Sequence, residues 1–146
     1  MRHRKRTASK TQLTAWTSSS LLEALLRRAG RPIPRPLQFD ARSLRLLERI
    51  HHEIVTGRLS VPRRTFEHLL GLFFGQTLVE TAGGSWMEPQ HTGAPKDDKF
   101  CVWAVGGRIG VMSFVSSVYA KSVTKNPRKL LSTEYSNRYG MFWGPG

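Results

Sequence analysis

Between Pro62 and Gly83 the chain places Phe66, Leu69, Leu70, Phe73, Phe74, Leu78 and Val79 at spacings that cover more than half the circumference of a helix. A helix this apolar needs neighbours on several sides. The pattern therefore predicts a central buried helix starting near Pro62, a residue suited to a first turn. Gly71 and Gly75 stand four apart within it, and each costs helix stability by about 1 kcal/mol relative to alanine. Such a cost signals close approach by a neighbour. A membrane-dimer reading of the glycine pair fails, because Glu67, His68, Gln76 and Glu80 interrupt the segment.

The flanking segments supply the neighbours. Asp40 is placed to cap a helix that runs through Ile54 or Thr56 and stops at Gly57, with Leu44, Leu47, Ile50 or His51, and Ile54 on its core face. Arg42, Arg45 and Arg49 recur on another face together with His52 and form a basic stripe, partly balanced by Glu48 and Glu53. Upstream, Ser20 and Glu23 have capping-box spacing, so a short helix is expected over 21–29, closed by Gly30. Proline then alternates with other residues from Arg31 to Pro36, which forces an extended path.

Downstream, Ser85-Trp86-Met87 reads as a short strand, and 100–105 and 108–114 as a hairpin around Gly106-Gly107. A closing helix over 115–124 turns Val115, Val118 and Tyr119 inward and ends at Asn126-Pro127. Trp86 and Trp103 are expected to pack on the central helix. The expected class is α+β, N-terminal helices packed on a small antiparallel sheet containing a β-hairpin, followed by a closing helix. Residues 1–36 read as a basic arm with a short helix and Pro-rich linker, 37–126 as the α+β domain, and 127–146 as a flexible tail.

The stretch Leu70-Gly71-Leu72-Phe73-Phe74-Gly75-Gln76-Thr77-Leu78-Val79, followed by Gly83-Gly84-Ser85-Trp86, resembles a pattern of small bacterial, often actinobacterial, α+β domains of unknown function. In that family a Leu-Gly-x-x-x-Gly-x-x-Leu-Val helix runs through glycine into a Trp-bearing strand, then a hairpin and a closing helix. The resemblance covers roughly residues 40 to 124 and implies a fold and a bacterial setting, but no reaction. Gln76 stands where the family often carries an acidic residue, and the basic arm is not a general family feature.

Charge points to a partner class. Residues 1–64 hold 15 Lys/Arg against 4 Asp/Glu, net +11, whereas residues 65–146 hold 8 against 6, net +2. That asymmetry suits a polyanionic partner, contacted through Arg2, Arg4, Lys5, Arg6 and Lys10 of the arm and Arg42, Arg45 and Arg49 of the stripe. Chemistry is harder to find. His51 and His52 point about 100° apart on a helix, which is wrong for joint ligation, and His3, His68 and His91 lack ligand-spaced neighbours. No metal or cofactor is expected. Glu88, Asp97 and Asp98 in the loop before the hairpin are the sole candidates for acid–base work, and a solvent-facing polar loop explains them as well. Cys101, the single cysteine, excludes an internal disulfide and reads as a small buried hydrophobe in a reducing compartment such as the cytoplasm.

The expected function is that of a non-enzymatic bacterial domain that binds another protein, preferably one with an acidic surface that its basic N-terminal arm attracts. The alternative is nucleic-acid association without sequence preference. Residues 1–36 also have the composition of an organellar transit peptide, membrane insertion is not expected, and the edge of so small a sheet offers a seat for a second copy.

Overall fold

The structure is a computed structural model and describes residues 10–81, 83–87, 101–104, 107–110, 115, 119–126 and 131. Helix α1 spans Lys10–Arg28, α2 Ala41–Val55 and α3 Arg63–Thr81; β1 (Ser85–Met87), β2 (Cys101–Ala104) and β3 (Gly107–Gly110) follow, then α4, Ala120–Lys125. Helix α3 is the axis of the molecule, with α1, α2, β1 and β2 packed around it and α4 against α2. Every residue from Leu69 to Leu78 is buried, as so broad an apolar circumference requires.

The expected α+β architecture is overturned: the protein is predominantly helical. Helices of 19, 15 and 19 residues close over one another. The strands are only 3, 4 and 4 residues long and form an antiparallel ribbon in the order β1-β2-β3, with Trp86 opposite Val102 and Val102 opposite Ile109. Of this ribbon, Val102 is buried and Trp86 half-buried in the core. The cover that α3 was expected to take from a sheet comes largely from α1. Gly107, expected in the turn, is a ladder residue opposite Ala104, and Val105 and Gly106 lie outside the described residues.

Helix α1 is also longer than the 21–29 expected. Thr17, Ser18, Ser19 and Ser20 each donate a hydroxyl hydrogen bond to the carbonyl three residues back, so their side chains stay within the helix instead of starting it. The capping box is thereby corrected: Ser20 sits mid-helix, and the Glu23 carboxylate accepts the N–H of Leu37 at 2.7 Å. Ala15, Leu22 and Leu26 are wholly buried, and the two leucines share a hydrophobic cluster with Leu44, Leu47 and Ile50 of α2 and Phe66, Leu70 and Phe73 of α3. Each such side chain contributes about 2 kcal/mol by leaving water.

The ends of α1 and α2 follow from local sequence. Gly30 and Gly57 adopt φ of 79° and 78°. Each closes a Schellman turn, in which Arg31 N–H reaches Leu26 O at 2.8 Å and Arg58 N–H reaches Glu53 O at 2.8 Å. Asp40 caps α2 by accepting the Ser43 N–H at 2.9 Å. Val115 and Tyr119 are buried as expected and both have π-helical backbone, and α4 continues from Ala120. Val118, residues 88–100 and residues 127–146 apart from Leu131 lie outside the described residues. Leu131 is fully buried, and its N–H is held by the Glu48 carboxylate.

Candidate anionic-ligand track

The connection from Arg31 to Pro36, expected to be extended, bends at Pro34 and Arg35 as it joins α1 to α2, and its anchors define what stands on either side. Arg31 binds Glu53 near the end of α2 through two parallel bonds of 3.0 and 3.1 Å, a pairing that holds the Glu53 carboxyl below its ordinary range. Glu23 of α1 secures the other end at Leu37. Two grooves flank the connection and share Pro34, Arg35 and Pro36. One, of about 190 Å³, is bordered by Arg27 of α1. The other, of about 330 Å³, is bordered by Arg42, Leu46 and Arg49 of α2.

Arg27, Arg35, Arg42 and Arg49 are all exposed and line this continuous track. Its two carboxylates, Glu23 and Asp40, are both turned to backbone N–H groups. The walls are apolar where Pro34, Pro36, Leu37 and Leu46 contribute. Guanidinium groups over an apolar floor favour an extended ligand that carries carboxylate or phosphate oxygens together with some apolar surface.

Of the residues singled out from sequence, Arg42 and Arg49 belong to this track; Arg45 is exposed on the same helix but does not line it. Lys10 is the first residue of α1. Arg2, Arg4, Lys5 and Arg6 lie outside the described residues, as do Glu88, Asp97, Asp98, His3 and His91 and the side chains of Cys101 and Trp103. Arg27 and Arg35 were missed as site residues. The proline alternation around Arg35 was the available signal, since an extended chain laid beside a helix must leave a groove.

A second polar cluster is internal. His51 is fully buried, with its Nε2 2.7 Å from the Glu67 carboxylate, which also accepts Arg63 Nε–H at 2.7 Å. Arg63 reaches on to Ala120 O at 3.1 Å and the Thr124 hydroxyl at 2.8 Å, tying α2, α3 and α4 together. Burial pushes the Glu67 carboxyl up, but the hydrogen bonds from His51 and Arg63 outweigh it and hold the group below its usual range. The ring of His51 stacks on Phe66 and tilts against Tyr119. His51 and Glu67 are enclosed while Arg63 reaches the surface, and together they brace the three helices. Among the described residues no three His, Cys, Asp or Glu side chains converge as metal ligands, and no helix is long and apolar enough to cross a membrane.

No family model, curated protein or solved structure matches this chain.

Proposed function

We propose that this protein is a non-enzymatic binding domain that receives an extended acidic segment of another protein along the arginine track. The observation that carries the reading is the pair of grooves sharing Pro34–Pro36, rimmed by Arg27, Arg35, Arg42 and Arg49 and walled by proline and leucine. Carboxylates of the partner pair with the guanidinium groups, and its apolar side chains lie on Pro36 and Leu46. The net +11 of residues 1–64 speeds encounter with such a segment.

Phosphate-backbone binding is the second reading, favoured by the run of exposed arginines along grooves that no aromatic side chain lines. Fluorescence anisotropy separates the two. A labelled peptide alternating Glu with Leu is expected to bind at physiological salt, and Arg35→Glu with Arg42→Glu should weaken it about tenfold or more. Duplex DNA or single-stranded RNA that binds more tightly than the peptide, with a log–log salt slope of about −4 for the duplex or about −3 for the single strand from four phosphate contacts, would instead establish the nucleic-acid reading. Unchanged affinity in the double variant for both ligands would remove the track from either role.

A further inference from the structure

Among the described residues, the outer face of α1 is the one large apolar feature that neither the core nor the grooves of the arginine track use. Leu13, Trp16 and Leu21 are 49%, 42% and 50% exposed, whereas Ala15, Leu22 and Leu26 on the opposite side are wholly buried. At 100° per residue the three exposed side chains fall within an arc of about 140°, filled in by Thr17, Ser20 and Ala24, and extend about 12 Å along the axis. No carboxylate interrupts that face: Glu23, the sole acidic residue of α1, is engaged with Leu37 N–H. Cations bracket it, Lys10 at the start and Arg27 and Arg28 in the last turn.

We infer that this face docks α1 flat onto an anionic lipid surface, with Trp16, Leu13 and Leu21 entering the headgroup boundary and the flanking cations meeting lipid phosphates. Charge selects the occupant. A second copy of a chain with net charge +13 would bring like charges together across the same face, whereas an anionic bilayer attracts them. A tryptophan between two leucines on a rigid, otherwise uncharged face suits the boundary between headgroup and acyl chain. Small apolar area alone holds weakly to a membrane, so the bracketing cations are the second contribution that binding needs. The inference shares Arg27 with the peptide-binding reading but uses none of Arg35, Arg42 and Arg49, and its test alters only Trp16 and Leu21, so the two readings fail separately.

The test is co-sedimentation of the full chain with vesicles of POPC alone and of equimolar POPC and POPG at physiological salt. Partition onto the anionic vesicles but not the neutral ones is expected. Trp16→Ser combined with Leu21→Ser, both at exposed positions and checked for native circular dichroism, should lower that partition about tenfold or more. Equal partition of the double variant would overturn the proposal, since charge alone would then account for binding. So would a lack of partition by the unaltered chain, whether it sediments as a monomer or as a dimer that the double variant splits.

Discussion

Gly75 illustrates how a single hydrogen atom can decide packing. A Cβ built there would stand 2.3 Å from Cη2 of Trp86, so the indole lies directly on the backbone of α3. Its Nε1–H donates to Gln76 Oε1 at 2.9 Å, and Gln76 in turn donates to Glu80 at 2.9 Å, which fixes the ring in place. Gly75→Ala is therefore expected to destabilise by about 2 kcal/mol in urea titrations, although alanine is the better helix former. Adding Trp86→Leu should relieve much of that loss, a non-additivity that a double-mutant cycle reads directly. Glu67 decides acid stability in a similar way. Its folded pKa lies below the unfolded value, so its contribution is fully present above the unfolded pKa and is lost as pH falls through the folded one. Glu67→Gln should cost about 3 kcal/mol at neutral pH, and urea midpoints between pH 6 and pH 3 should then fall less steeply than in the unaltered protein.

At the scale of elements, starts and stops written in one or two residues were legible, and those written by context were not. Asp40, Gly30 and Gly57 behave as their chemistry dictates, since a carboxylate at an N-cap or a positive φ at a helix end acts within a few residues. Asp40→Ala should accordingly lower stability by about 1 kcal/mol, measured as a shift in thermal midpoint with no change in circular dichroism at low temperature. Ser20 and Glu23 carried an equally good local signal and it failed. Serine and threonine hydroxyls turned back onto helix carbonyls let α1 continue through them, and Ala15 and Leu22, buried against the core, hold the longer helix in place. The strands read as an antiparallel layer proved to be a ribbon of 3, 4 and 4 residues, and α1 makes the larger contact with α3.

For the whole molecule the consequence concerns the division at the proline connection. Leu22 and Leu26 lie in the same cluster as the leucines of α2 and the phenylalanines of α3, so truncation to residues 37–146 should abolish cooperative thermal unfolding instead of leaving an intact domain. Calorimetry of the two chains checks this. The charge asymmetry, the caps and the need for a covered central helix were determined by the sequence alone, because composition, a carboxylate one residue before a helix and an apolar circumference act locally or in sum. Which element covers α3, which arginines border one groove, and that His51 meets Glu67 were decided only by tertiary structure. Those choices depend on competing surfaces of similar apolarity and on side chains such as His51 and Glu67, 16 positions apart, meeting in space; no spacing rule along the chain encodes that distance.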